Sequence, residues 1–250
     1  MALPGAPVET RLPLRSWVPS SASHRPCDGK DAGSGSLILR ELEIELSDGT
    51  RMPISGLDSL VKRIEDLILL ALILPFALPI MLGAAMAIKL DSPGPVFFRQ
   101  DREGFNNRRF AIWKFRSMQV DQLEYDAIHQ ASRHDPRITR IGRILRATSI
   151  DELPQLINVL RGEMSLIGPR PERPELEGQL ETEIPNYRLR HWVRPGLSGW
   201  AQVNMPYTSS VEDSELKLSY DLYYLRNAGL WLDLLILAKT IKIVLKAAGR

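Results

Sequence analysis

The spacing of hydrophobic positions changes several times along the chain. Leu42, Ile44 and Leu46 alternate with Glu41, Glu43 and Glu45, and an Asp48-Gly49 step precedes Met52 to Ile54. A period of two followed by an Asp-Gly turn predicts a short β-hairpin with an acidic outer face, an extension over 37-57. Residues 67-88 behave differently: LILLALILPFALPIMLGAAMAI is 22 residues without a charge. As one helix it would be about 33 Å long, enough to cross a bilayer core. A buried helix of a water-soluble core would show a polar face, and this stretch has none. Two features favour a kinked helix hairpin over 58-90 that enters and leaves on one membrane face. Pro75 and Pro79 sit mid-segment, where each removes a backbone hydrogen bond. Lys62 and Arg63 precede the stretch, and Lys89, Arg99, Arg102, Arg108 and Arg109 follow it. Positive flanks stay on the cytoplasmic side, so two positive ends suit a re-entrant path better than a span.

Beyond residue 90 the pattern is mixed. VFFRQDREG and RRFAIWKFRSM read as two strands joined by a turn at 104-107. Helices are expected over 119-130, 151-161, 172-183 and 212-227. The last segment, LWLDLLILAKTIKIVLKAAGR, carries Trp231 and a long aliphatic face, with Lys239, Lys242 and Lys246 on one stripe. That suits an amphipathic helix at a membrane surface, weighed against ordinary core packing. Residues 1-36, rich in Pro, Gly, Ser and Ala, read as a flexible tail. The first residues lack the apolar core of a signal peptide.

Composition removes several classes of function. The chain of 250 residues is 44% hydrophobic and 25% charged, which excludes a wholly disordered or fibrous chain. Its 32 basic and 30 acidic residues give +2, too small an excess for a general nucleic-acid binder. Cys27 is the lone cysteine, so no internal disulfide or cysteine zinc site forms. His24, His129, His134 and His191 make no HxH or HxxxH pair, which argues against a histidine metal site.

The densest chemistry lies in RILRATSIDELPQLINVLRGEMSLIGPRPERP, residues 143-174. Asp151 and Glu152 fall at a predicted helix start, where Thr148 or Ser149 could cap and Pro154 is tolerated. Ser149-x-x-Glu152 is also a capping box in its own right, which needs no catalysis. The neighbours add weight to the functional reading. Arg140, Arg143 and Arg146 precede the acidic pair; Arg161, Arg170 and Arg173 follow it, with Arg170 fixed in a stiff Gly168-Pro169-Arg170-Pro171 turn. Arginines give phosphate bidentate, charge-assisted bonds. Paired carboxylates share a magnesium ion or attack a phosphoryl group. These parts suit phosphoryl transfer, and the apolar segment beside them points to a lipid substrate.

KFRSM, SIDELPQLINVLRGEMSLIGPRP, RHWVRPGLSGWAQVN and YDLYYLRN, in that order, resemble the bacterial sugar transferase family over about residues 60-246. These are monotopic polyprenyl-phosphate phosphoglycosyl transferases that begin exopolysaccharide and capsule assembly. The resemblance implies an α/β, mostly helical, monotopic membrane protein with a Pro-kinked re-entrant helix and amphipathic interfacial helices. Its cytoplasmic phosphoglycosyl transferase domain would be 91-250, on the inner membrane of a bacterium. It implies transfer of a sugar 1-phosphate from a UDP-sugar to undecaprenyl phosphate, with release of UMP and a need for Mg2+. The family's acidic dyad falls on Asp151, the implied nucleophile, and Glu152, the implied metal holder with Asp151. Arg146 and Arg170 fall on phosphate contacts, and Lys114 on the KFRSM lysine near the substrate. Trp200, Gln202 and Asn204 are candidates for the nucleotide, against the plainer reading of a packed aromatic core. The resemblance leaves room for a homodimer and for downstream glycosyltransferases as partners.

The sequence also departs from the family. Pro79 matches the proline of a Ser-Pro break, but Leu78 replaces the serine, and Pro75 is additional. Met205-Pro206-Tyr207 follows Asn204 where many members continue Gly-Arg, and Val211-Glu212-Asp213 comes after. With one hydrophobic segment, the chain looks like the short form. His191 is expected to be structural, and Glu172, Glu175, Glu177, Glu181 and Glu183 a solvated helix face. Two other functions compete: a non-catalytic membrane organiser of a polysaccharide complex, motivated by the tail and hairpin, and a phosphohydrolase using the same aspartate.

Overall fold

The computed structural model of the chain describes residues 56–119, 135, 137–205 and 210–245. The expected tail, nearly all of the hairpin extension, all but the first residue of the 119-130 helix, the Pro206-Tyr207 step and Lys246 lie outside the described residues. Among the described residues the fold is mostly helical, with two small two-stranded sheets.

Helix α1 runs Gly56–Asp91 through both prolines as one element. Pro75 and Pro79 each lack the N–H that would bond one turn back, so the carbonyls of Ala71 and Pro75 lose their helical partners. The sequence reading expected a Pro-kinked hairpin over 58-90; the structure has a single helical element there, with both prolines inside it. One stripe of it, Asp66, Leu70, Ala77, Ala84 and Ile88, is buried against the rest of the protein. The opposite face is open: Leu72, Phe76, Leu82, Met86 and Leu90 are all more than 60% exposed. Its segment Ser59–Asp91 is long and apolar enough to cross a membrane.

Polar contacts tie both ends of α1 to one body. Near its start, Arg63 donates to the carbonyls of Val159 and Leu160 (2.7 Å to the latter), capping the end of α3 (Leu156–Arg161). Asp66 accepts from Ser165 Oγ at 2.9 Å and Leu166 N at 3.1 Å. Lys62 pairs with the fully buried Asp233 at 2.6 Å. Near its end, Asp91 accepts from Ile141 N at 3.2 Å, at the start of α2 (Arg140–Ala147). Arg116 donates to Ser92 O at 2.7 Å and to Pro93 O.

The expected hairpin follows as β1 (Phe97–Glu103) and β2 (Arg109–Phe115), antiparallel, with a 3-10 turn at Phe105–Asn107. Phe98 pairs with Lys114 and Arg102 with Phe110. Residues opposite one another share a face and alternate along each strand, so Phe98, Gln100, Arg102 and Lys114 lie on one side.

The centre of the fold is a parallel pair, β3 (Ser165–Ile167) and β4 (Gly196–Ser198). Between them run α4 (Pro174–Glu183) and a 3-10 segment, Tyr187–Trp192. Short α5 (Trp200–Asn204), α6 (Val211–Asn227) and α7 (Leu230–Leu245) complete the described part. Ser210 and Asp213 form a capping box that starts α6, with Ser210 Oγ accepting from Asp213 N at 3.1 Å. Val159, Met164, Ile167, Leu218 and Ile236 fill the core. On α7, Trp231 is 84% exposed, as an interfacial residue would be, and Lys242 faces out. Lys239 departs from the expected outer stripe: it turns in to Asn204 Oδ1 at 2.6 Å and lies over the Trp200 ring.

Candidate active site

The acidic pair sits on a strained corner. Helix α2 ends at Thr148, whose hydroxyl donates back to Ile144 O at 2.8 Å. Ser149 then takes a left-handed conformation, φ 56°, and a 3-10 turn, Ile150–Gln155, carries Asp151, Glu152 and Pro154. Here the expected α-helix and its cap are corrected. A residue at positive φ has no extended cap geometry, and Ser149 makes no side-chain cap bond. The Glu152 carboxylate does not reach back to Ser149, as a capping box requires, but turns to two cations. Ile150 anchors the corner in a cluster with Ala84 and Ile88 of α1, Phe115 and Leu145.

Glu152 accepts from Lys114 Nζ at 2.8 Å and from both terminal nitrogens of Arg170, Nη1 at 3.1 Å. Burial alone would raise its carboxyl, but Arg170 and Lys114 outweigh that and hold it well below the usual carboxylate range. Asp151 accepts no hydrogen bond and makes no ion pair among the described residues. Burial, and next the charge of Glu152, push its carboxyl up to about 6, against the pull of Lys114, Arg146 and Arg170. Burial and Arg170 likewise hold the Lys114 ammonium below its ordinary range, although Glu152 pulls it up. Arg146, in the last turn of α2, reaches Asp151 only through its charge. The sequence-predicted Asp151, Glu152, Lys114, Arg146 and Arg170 therefore converge.

Arg170 is held from behind. Its loop leaves β3 beside β4, where Gly168 N donates to Ser198 O at 2.9 Å and Gly196 N to Pro169 O at 2.8 Å. A Cβ on Gly196 would lie 2.1 Å from Gly168 N, so only glycine admits this approach. Arg190, 2% exposed, donates to Arg170 O at 2.7 Å and to Tyr187 Oη at 2.7 Å, and pairs with Asp221 of α6 at 2.9 Å. Sequence reasoning missed Arg190 and Asp221. Their signal was an arginine beside the singled-out His191 and an aspartate in an otherwise apolar helix face.

Other expectations resolve one by one. His191 bonds the buried Glu177, as a structural histidine would. That overturns the solvated face for Glu177; Glu172 also turns inward, to Lys217. Glu175 and Glu183 are exposed as expected. Trp200 follows the plainer reading of a packed aromatic: it is 5% exposed, stacked on Tyr223 at 5.9 Å, with Lys239 Nζ 4.5 Å from the ring centre. Asn204 is spent on Lys239 and on Trp200 O, and Gln202 Nε2 donates to Leu197 O at 3.3 Å. These residues hold α5 against α7 and make no contact with the dyad. Arg102, read from the sequence only as part of the positive flank of the apolar segment, is on the same hairpin face as Lys114 and lies within electrostatic reach of Glu172, Arg170, Arg173 and Glu152.

A carboxylate without a partner, beside one clamped by two cations and close to guanidinium groups at the flank of an apolar helix, is chemically suited to binding phosphate groups. The chain belongs to the bacterial sugar transferase family, whose profile matches residues 57–247. It is 47% identical over 201 residues to an Aeromonas hydrophila protein named UDP-N-acetylgalactosamine-undecaprenyl-phosphate N-acetylgalactosaminephosphotransferase, covering 80% of this chain and 47% of that protein. It is 46% identical over 192 residues to an Escherichia coli K12 UDP-glucose:undecaprenyl-phosphate glucose-1-phosphate transferase, covering 76% of this chain and 41% of that protein. A Caulobacter vibrioides protein of the same name is 44% identical over 204 residues, covering 81% and 76%. The chain thus spans less than half the length of the first two relatives.

Proposed function

We propose that this chain transfers a sugar 1-phosphate from a UDP-sugar to undecaprenyl phosphate, the priming step of exopolysaccharide synthesis. The observation that carries this is the asymmetry of the dyad: Glu152 is neutralised by Lys114 and Arg170, while Asp151 is unpartnered. An Asp151 oxygen attacks the β-phosphorus of the donor. The bond from that phosphorus to the bridging oxygen breaks, and UMP leaves with the electron pair. A phosphate oxygen of the lipid then attacks the same phosphorus and expels the Asp151 carboxylate, giving polyprenyl-diphosphate-sugar. Arg146 and Arg170 stabilise the phosphoryl charge in both displacements.

The donor set fits Mg2+. A carboxylate offers about four lone-pair directions. The bonds from Lys114 and Arg170 leave Glu152 one, and Asp151 keeps its own. Among the described residues no third acidic, His or Cys ligand joins them, so water and substrate oxygens would complete the shell. When bound, the ion would neutralise phosphate charge.

The proposed membrane placement rests on α1. Both of its ends contact one body, and its buried stripe runs from Asp66 to Ile88. That supports a monotopic helix, entering and leaving on the cytoplasmic face of the inner membrane, over a free span. Ile150 packs against the cluster that includes Ala84 and Ile88 of α1, which brings the residue next to the nucleophile to the apolar helix.

The test is Asp151→Asn in purified full-length protein with a panel of UDP-sugars and undecaprenyl phosphate. UMP release should fall by at least about a thousandfold, as expected for loss of a nucleophile. Retained turnover refutes the role. Free sugar phosphate formed without lipid would indicate a hydrolase instead.

A further inference from the structure

Arg102 is a half-buried cation that makes no ion pair among the described residues. It projects from β1 on the face shared with Lys114. One terminal nitrogen donates to Gln100 Oε1 at 2.7 Å, while its buried Nε–H has no partner. No carboxylate lies within ion-pairing distance of it among the described residues. The carboxylate that acts on it most strongly, Glu172, is already paired with Lys217. Arg170 and Arg173 add to the positive field around it, and burial leads in holding the guanidinium down to about 10. Glu172 and Glu152 act on it from a distance, but a buried guanidinium N–H with neither hydrogen bond nor ion pair costs stability. Such an arrangement is satisfied when an anion arrives.

Resting on the transferase reading, we infer that Arg102 binds a phosphate of the donor's diphosphate, the one that leaves with the nucleoside. Its position selects that phosphate. Lys114 and Arg170 occupy the end of the site nearest Asp151. Arg102 lies four residues along β1 from Phe98, the cross-strand partner of Lys114. That is roughly 13 Å along the strand, so Arg102 approaches the site from its far side. Its free Nε–H and remaining terminal N–H groups form a fork suited to two phosphate oxygens.

The experiment compares wild type, Arg102→Gln, Arg102→Lys and the exposed control Arg108→Gln as full-length protein in nanodiscs. Calorimetry with inorganic pyrophosphate needs no turnover, so it stands even if the transferase reading fails. Arg102→Gln should weaken pyrophosphate binding about 10- to 100-fold, the range of a lost charge-assisted pair. Arg102→Lys should fall between, and Arg108→Gln should match wild type. In turnover, Arg102→Gln should raise the donor KM and leave the acceptor KM unchanged. Its melting temperature should not fall, because the removed charge had no partner. Unchanged pyrophosphate affinity, or a lowered melting temperature with equal loss in Arg108→Gln, overturns the inference. A rise confined to the acceptor KM overturns it in favour of the lipid phosphate.

Discussion

Replacing Asp151 by Asn should stabilise the protein while it abolishes transfer, and the gain should depend on pH. The Asp151 carboxyl moves from 3.8 to about 6 because burial and the neighbouring Glu152 disfavour its ionised form. A raised carboxyl binds its proton more tightly in the folded state than in the unfolded one. Its contribution is therefore fully present below 3.8 and is lost as pH rises through about 6. At pH 8 the folded protein bears at most about 3 kcal/mol for holding the anion, and at pH 5 about half of that. Asparagine keeps the shape and removes the charge, so the variant should melt about 5–10 °C higher at pH 8. The advantage should shrink by about half at pH 5. Thermal unfolding at both pH values, in metal-free buffer and one detergent, reads this directly. A variant that melts at or below wild type at pH 8, or gains equally at both pH values, would refute the claim that Asp151 is a desolvated anion.

Other expectations test the scaffold. Gly196→Ala should cost at least about 3 kcal/mol, because its Cβ would meet Gly168 N at 2.1 Å, and should weaken phosphate binding by displacing the Arg170 loop. Gly178→Ala, with nothing within 4 Å on α4, should instead stabilise by about 0.5–1 kcal/mol in the same melts. Burial opposes the ionised Glu172, but Lys217 and Arg190 prevail and hold it down to about 2, so its contribution is present above 4.5 and lost as pH falls toward 2. Lys217→Met should accordingly move the acid-unfolding midpoint, followed by near-ultraviolet circular dichroism, to higher pH. With Cys27→Ser as background, Ser59→Cys and Ser92→Cys should both react with an impermeant maleimide from the same side of inverted vesicles; labelling from opposite sides would exclude the re-entrant path.

What the sequence carried was mostly local. Alternation located β1 and β2, and the uncharged run located α1, because those signals are set by each residue's own neighbours. Asp151, Glu152, Arg146 and Arg170 were recoverable from type and spacing, and Lys114 from the family resemblance. The failures share a cause. Ser149 reads as a cap by its spacing to Glu152, yet Lys114 and Arg170, 38 and 18 positions away, take the glutamate instead. Glu177 reads as a surface residue on α4 until His191 and Arg190 fold over it. Each reversal depends on a distant partner, which periodicity does not encode.

The opposite fates of two adjacent carboxylates follow from one asymmetry in the fold. Both stand on the same 3-10 turn, and burial pushes both toward neutrality. The direction reverses for Glu152 because strand β2 delivers Lys114 and the β3 loop delivers Arg170 to that side chain alone. The clamped charge then acts on its neighbour: Glu152, held as an anion, raises Asp151. A nucleophile with a raised pKa is the stronger base, and at pH 7 a carboxyl at about 6 is still mostly ionised. Weakening the clamp should therefore have a sign that mere loss of phosphate affinity lacks. In Arg170→Met, Lys114 still holds Glu152 as an anion through the range in which Asp151 titrates, and Asp151 loses Arg170's opposing pull. The metal-free Asp151 titration, followed by carboxyl NMR, should therefore shift upward. An unchanged or downward shift would mean that Arg170 does not act on the pair as a charge.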